Sequence, residues 1–382
     1  MQRHLSINRT HTGAIGRWWW TVDRFLLTAF LSLIIISTIM VTASSPPVAK
    51  RIGLDAYHFV SRQHFFLFVA FIVMIVTSLL PQKMLRRGAI IGLFGSLFLM
   101  LCLPLIGMEI KGAKRWVSLG FMALQPSEFM KPCFAIVTAW ILSEREKLVD
   151  FPAYKISAIL FILSAGLLVI QPDIGMTITL SFIYGVQLFL SGIPMLWVVA
   201  CGIVAVALLF AAYFIFPHMA RRIDGFLDAS SVDNYQVKKS MEAFSNGGLT
   251  GQGMGEGSVK WSIPDAHTDF IFAVIGEEFG MVIGCITVMM FLFVVLRGFY
   301  RAYQSTDTFI LLAVCGMIAQ FGLQAFINMG VAVHLLPAKG MTLPFLSYGG
   351  SSLFAMALMA GAILALTRRR YGTLHRNTSY DF

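Results

Sequence analysis

The stretch SVKWSIPDAHTDFIFAVIGEE, Ser258 to Glu278, changes character within a few residues. Before it lies a polar, glycine-rich run, NGGLTGQGMGEG (Asn246 to Gly257). After Asp269 the apolar run Phe270-Ile271-Phe272-Ala273-Val274 begins a segment long enough to cross a bilayer. Asp269 stands at the join. A carboxylate at the mouth of a membrane helix is costly to desolvate, so such groups face a cavity, a partner or a substrate. An Asp is also a good helix N-cap. Cap and catalyst both remain open on these residues alone.

Composition extends the membrane reading to the whole chain. Of 382 residues, 57% are hydrophobic and 13% charged, with a mean hydropathy of +0.77. Soluble domains carry about 25% charged residues. Apolar runs at 25–43, 64–80, 88–107, 126–143, 153–171, 174–191, 195–216, 269–296, 308–332 and 350–367 predict about ten transmembrane helices. The run Phe25 to Ala43 exceeds the usual ~7–15-residue core of a signal peptide and is expected to stay as the first span. The expected fold is an all-α polytopic membrane helix bundle. Residues 1–21 and 368–382 are basic tails around a 22–367 transmembrane domain, and Trp18-Trp19-Trp20 is expected to form an interfacial belt. An even number of spans puts both tails on one side. A cytoplasmic placement there keeps most short-segment Lys and Arg inside and leaves the long 217–268 loop outside.

The net charge of +10 fits this topology and contact with anionic membrane lipids; basic residues scattered among membrane loops do not suit nucleic acid. Two basic clusters fall on the outer side. One is KGAKRW (Lys111, Lys114, Arg115, Trp116) with Lys131 nearby; the other is Arg221-Arg222 with Lys238-Lys239. They are solvated loop charges or an anion site, since Lys and Arg bind phosphate and pyrophosphate well. Ser127 or a neighbour is placed to cap the fourth span. Glu128 and Lys131 are spaced i,i+3 for a structural ion pair. Glu277 and Glu278 lie ~12–14 Å along the helix from Asp269 and are expected to pair inside the bundle. The breaks at Gln171-Pro172-Asp173 and at 337–352 mark irregular backbone lining protein or a cavity. GQGMGEG has no preceding strand, so it is expected to be a flexible loop and not a nucleotide cradle. Five cysteines inside apolar runs read as small core hydrophobes. No HExxH, GxSxG or Walker A motif is present.

Six segments in one order carry a resemblance: KGAKRW, QPSEFMK (125–131), QPDIGM (171–176), the NGG…GEG loop, PDAHTDFIFAVIGEEFG (264–280) and HLLPAKGMTLPFLSYGGSS (334–352). Together they resemble the SEDS family of bacterial peptidoglycan glycosyltransferases, and its cell-division members more than its elongation members. The likeness runs over residues 22–367. It implies ten transmembrane helices, cytoplasmic termini and a large extracytoplasmic loop between the seventh and eighth spans. It implies polymerisation of lipid II at the outer face of the bacterial inner membrane, at the septum. The implied partners are a class B penicillin-binding transpeptidase of the FtsI-like kind and other division proteins. Asp269 matches the family's essential aspartate and is the candidate general base. Candidate substrate contacts are Lys111, Lys114, Arg115, Trp116, Lys131, Asp173, Arg221, Arg222, His267 and Ser347; Glu128, Glu277 and Glu278 are structural polar residues. Trp261 stands eight residues before Asp269, where some relatives carry an acid, so a two-carboxylate site is not carried over. No tightly bound cofactor is expected; a divalent cation, Mg or Mn, is the one candidate, and its ligands are not identified.

Two other classes of function fit the same features. Broken helices and intramembrane charges also suit a lipid II flippase. A scaffold that only recruits a transpeptidase would leave Asp269 replaceable.

Overall fold

A computed structural model describes residues 13–110, 113–120, 122–215, 217–227, 235–337 and 339–369. The ten expected spans correspond to α2 (Arg24–Arg51), α3 (His58–Leu79), α4 (Gln82–Ile106), α5 (Pro126–Glu144), α6 (Ala153–Ile170), α7 (Ile174–Leu190), α8 (Met195–Ile215), α11 (Ile271–Tyr303), α12 (Thr308–Ala332) and α13 (Gly350–Leu366). Three helices outside that set are α1 (Ala14–Thr21), α9 (Pro217–Leu227) and α10 (Tyr235–Gly247). Between α4 and α5 a small antiparallel sheet forms from β1 (Met108–Ile110), β2 (Ala113–Ser118) and β3 (Ala123–Leu124). Six helices, α2, α3, α4, α6, α11 and α12, are long and apolar enough to cross a membrane; α7, α13 and part of α8 are shorter apolar helices. Glu128, Lys131 and Glu144 lower the apolar content of α5.

The bundle is built around α12. In its most apolar stretch 72% of residues are buried, against 28–39% in the other five long spans. The others each keep one side for lipid. On α3, Phe66, Ala70, Met74 and Thr77 turn inward while Phe65, Phe68, Ile72 and Val76 stay exposed. Both stripes are apolar, as expected where the surroundings are hydrocarbon. Helices that must pack without a hydrophobic drive use small residues to bring backbones close. Gly361 of α13 is an example: a Cβ there would stand 2.6 Å from Met74 O of α3. At the centre Phe30, Phe291, Phe321 and Phe345 pack ring on ring, with Phe30 and Phe321 edge to face at 5.9 Å.

Several local expectations need correction. Trp18 is not a lipid-facing belt residue: it is buried, and its indole N–H donates to Ser78 Oγ at 2.9 Å. Cys201 and Cys285 are exposed on the helix surface, so they are not core hydrophobes. Ser127 does not cap α5; Pro126 occupies its first position, where the missing N–H costs nothing, and no side-chain cap bond forms.

The largest correction concerns the glycine-rich run, which is packed, not flexible. The helix α11 breaks at Gly280 (φ 76°, ψ 178°), a left-handed conformation that glycine adopts without a Cβ clash. The break frees main-chain groups, and residues 248–253 satisfy them. Gln252 N–H and Gly253 N–H donate to Glu277 O and Glu278 O at 3.0 Å each. Met281 N–H and Val282 N–H donate to Gly248 O and Leu249 O at 2.9 and 3.3 Å. Broken backbone is tolerated in such a setting only when another segment re-satisfies it. A Cβ at Gly247 or Gly251 would overlap the α11 main chain, which explains the glycines by close approach.

Candidate active site

Asp269 is held at one end of the bundle by the turn 264–270. Asp265 adopts φ 54°, and its carbonyl accepts from the N–H groups of Thr268, Asp269 and Phe270. An Asp tolerates that left-handed region better than most residues. The cap of α11 is Phe270, with no side-chain capping bond. Asp269 thus stands one residue before the cap position, at the end of the turn.

A second irregular segment, 339–349, closes over this turn. Asn328 Nδ2 of α12 donates to Asp269 O at 2.9 Å and to Met341 O at 2.6 Å. Ser347 Oγ donates to Thr268 O at 2.5 Å and accepts from Leu343 N–H at 2.7 Å. Tyr348 N–H donates to His267 O at 2.8 Å. This stapling puts Gly340 beside the carboxylate: a Cβ at Gly340 would stand 2.9 Å from Asp269 Oδ2. Ser347 is thus a buried staple between the two segments.

Cations converge on the same end. Arg115 of β2 donates to Gln171 O at 2.9 Å and Pro172 O at 2.6 Å, and stands 3.7 Å from Asp173 Oδ2. Asp173 caps α7 through Met176 N–H at 3.3 Å. Lys339 lies over Gly175, where a Cβ would overlap its side chain. Burial pushes the Lys339 ammonium down to about 8; Asp173 opposes that shift, while Arg222, Arg115 and Lys131 add to it. Arg222 of α9 has Arg115, Asp269 and Asp173 as charged neighbours. Arg115, Arg222 and Lys339 thus share one neighbourhood with Asp269 and Asp173.

Apart from Lys131, whose charge also acts on Lys339, the remaining candidates fall elsewhere. Arg115 is the extra residue of a bulge in β2, because Trp116 pairs with Met108 and Lys114 with Glu109, and the bulge sets it apart from its neighbours. Lys114 Nζ donates to Pro104 O at 3.2 Å and is exposed. Lys111 lies outside the described residues. Arg221 and Arg222 are both exposed, and Arg221 sits about 100° round α9 from Arg222. Lys131 is fully buried, paired with Glu128 at 2.8 Å and donating to Gln324 Oε1 at 3.3 Å. His267 is buried between the rings of Phe59 (4.8 Å) and Tyr348 (5.2 Å). Burial pushes its imidazole down to about 4, so it is neutral at pH 7.

Glu277 and Glu278 pair with the loop before α11, not with another span. Glu277 accepts from Val259 N–H (2.7 Å), Lys260 N–H (2.9 Å) and Asn246 Nδ2 (2.8 Å). Glu278 forms an ion pair with the buried Lys260, whose ammonium also donates to Gly255 O at 3.0 Å. Lys260 was not singled out from sequence, because its partner is eighteen residues away with no local period to link them. Lys339 was quoted only as part of a Pro- and Gly-flanked break. Its signal was that break: a lysine kept inside irregular backbone at the membrane boundary.

Among the described residues no group of three or more His, Cys, Asp or Glu is placed to hold a metal ion. Asp173 and Asp269 are interleaved with Arg115, Arg222 and Lys339, so the donor set does not fit a resident divalent cation.

The fold and this end of it define a multi-pass membrane helix bundle with a carboxylate set among cations. The family model described as "Cell cycle protein", covering FtsW, RodA and SpoVE, matches residues 23–372. The chain belongs to that family. It is 40% identical over 375 residues to a probable peptidoglycan glycosyltransferase FtsW of Caulobacter vibrioides, covering 98% of this chain and 96% of the relative. It is 36% identical to the protein of the same description from Escherichia coli O6:H1, covering 92% and 86%. Two solved structures share the fold. One is described as "Structural coordination of polymerization and crosslinking by a peptidoglycan synthase complex" (TM-score 0.75, 27% identity, 91% of this chain and 98% of that one). The other is the rod shape determining protein RodA of Thermus thermophilus (TM-score 0.68, 26% identity, 93% and 99%).

Proposed function

We propose that this protein is a peptidoglycan glycosyltransferase of the FtsW kind, which polymerises lipid II with Asp269 as general base. The observation that carries it is the Asp269 carboxylate beside Gly340, with Arg115, Arg222 and Lys339 in the same neighbourhood. Family membership and the relatives' descriptions support it.

The chemistry follows from these groups. The 4-hydroxyl of the acceptor sugar attacks the anomeric carbon of a lipid-pyrophosphate donor. Its proton passes to the Asp269 carboxylate as the new C–O bond forms. The bond from the anomeric carbon to the pyrophosphate oxygen breaks, and the lipid pyrophosphate leaves with the electron pair. Arg115, Arg222 and Lys339 offset the charge that develops on it. The lipid tails stay in the membrane that the bundle's exposed apolar faces contact.

We assign the end carrying Asp269 to the outer face, the tails at 1–21 and 368–382 to the cytoplasm, and the working site to the septum. We also assign a class B transpeptidase as partner, in keeping with the synthase complex whose fold this chain shares. Co-purification with and without that partner checks the last point.

The decisive experiment is Asp269→Asn in a purified polymerisation assay with lipid II supplied in detergent, where no flipping is needed. Folding should survive, because Asn keeps the size of Asp and caps a helix about as well. Glycan synthesis should fall by about 10²–10⁴-fold, the usual worth of a general base. Near-normal synthesis would remove Asp269 as the base and make Asp173 and Glu278 the next carboxylates to test; no synthesis by the wild type would return the flippase or scaffold function.

A further inference from the structure

A second charged site lies at the opposite end of the bundle. The helix α2 starts beside Asp23 and ends at Arg51, whose guanidinium donates to Trp261 O and Ile263 O. Its 28 residues separate the two ends by about 40 Å at 1.5 Å per residue. At the Asp23 end a cavity of about 590 Å³ opens where α1, the end of α3, the start of α4 and the end of α13 meet. Arg17, Lys83, Arg368 and Arg369 line it, together with the apolar Leu79 and Pro81.

Among the described residues no carboxylate lines it. The nearby acids are already engaged. Asp23 is bound by Arg297 at 2.7 Å and Arg301 at 3.0 Å, and it caps α2. Asp307 accepts from Gln82 at the rim (3.2 Å) but caps α12 through Phe309 N–H at 3.0 Å. One wall is fixed: Arg368 donates to Leu80 O at 2.8 Å and to Leu79 O and Ala365 O at 3.3 Å. Arg369 N–H donates to Thr21 O at 2.9 Å and ties the end of α13 to α1. Arg17, Lys83 and Arg369 are exposed and Arg368 half-buried, so the four charges give one open recess a positive potential that attracts an anion. The level of the cavity narrows the choice of anion. It sits where membrane-crossing α3 and α4 begin and end, and Arg24 lies over the rings of Trp19 and Trp20 at 5.3 and 5.1 Å. Aromatic and basic residues together mark the headgroup layer.

We propose that this cavity binds the phosphate headgroup of an anionic phospholipid, with Arg17, Lys83 and Arg369 as its ligands and Leu79 and Pro81 against the glycerol and upper chain. Such basic recesses at the ends of transmembrane helices suit phosphate-bearing headgroups by charge and by depth.

Native mass spectrometry of the purified full chain tests it, with phosphatidylglycerol, cardiolipin, phosphatidylcholine and inorganic phosphate as separate probes. The wild type should retain the two anionic lipids at least about tenfold over phosphatidylcholine. The triple variant Arg17→Gln, Lys83→Gln, Arg369→Gln should lose that preference, as expected when about three charge-assisted contacts go. Arg87→Gln, exposed and outside the cavity, should change nothing. Should the triple variant not fold, Lys83→Gln alone should weaken retention by about threefold or more. The proposal is overturned if the triple and single variants bind as the wild type does. It also fails if Arg87→Gln costs as much, or if phosphatidylcholine binds equally. Displacement of the lipid by millimolar inorganic phosphate would make this a soluble-anion site and overturn the lipid assignment.

Discussion

Lys339 should place an alkaline limb on the pH profile. Its ammonium is held down to about 8 by burial, with Arg222, Arg115 and Lys131 adding to the shift. If the charged form binds the donor pyrophosphate, kcat/KM for lipid II should follow the charged fraction. That fraction is about nine-tenths at pH 7 and about one-tenth at pH 9, so kcat/KM should drop roughly ninefold over that interval. The limb in kcat should lie higher, because bound pyrophosphate favours the charged form. Lys339→Arg keeps a cation at every accessible pH and should abolish the limb, with a lower plateau from the larger fork. Lys339→Met should lower the plateau by about 10–100-fold, the worth of one charge-assisted contact. Stability moves in the same pH window. The folded value lies below the unfolded 10.5, so the folded protein binds fewer protons between about 8 and 10.5. Stability from this group therefore rises with pH across that window, by roughly 3 kcal/mol in all. Lys339→Met should remove that rise in a thermal-melt series. A flat kcat/KM up to pH 9.5, or an unchanged limb in Lys339→Arg, would refute the reasoning.

Two further substitutions separate neighbours that the sequence groups together. Arg115→Ala should cut kcat/KM by about 10–100-fold, while Lys114→Ala should stay within about twofold, since only Arg115 faces the Asp173 turn. Equal losses in a lipid II polymerisation assay would mean that the strand does not sort them. Glu277→Ala should free the glycine-rich segment, because Val259 N–H and Lys260 N–H lose their acceptor at about 1–3 kcal/mol each. Hydrogen exchange over 246–261 should quicken by at least about tenfold, and exchange at the wild-type rate would show that the glycine packing alone holds it.

What the sequence determined by itself was the membrane bundle and its ten helical segments, and it singled out Asp269 as the carboxylate to test. These are local properties. A run of about twenty apolar residues is a span wherever it lies, and a resemblance carried by six ordered segments needs no coordinates. The Glu128–Lys131 pair was also legible, because an i,i+3 spacing fixes proximity on a helix. Only the tertiary structure decided which charges share a site. The spacing in KGAKRW says nothing about which side of a strand faces the bundle, and the strand itself was not foreseen. Lys339 reaches the site by lying over Gly175, more than 160 residues earlier in the chain. The glycine-rich run looked flexible because its composition is that of a linker. Its order comes from the main-chain groups that the break at Gly280 leaves unpaired, and only the helix beside it could show that demand.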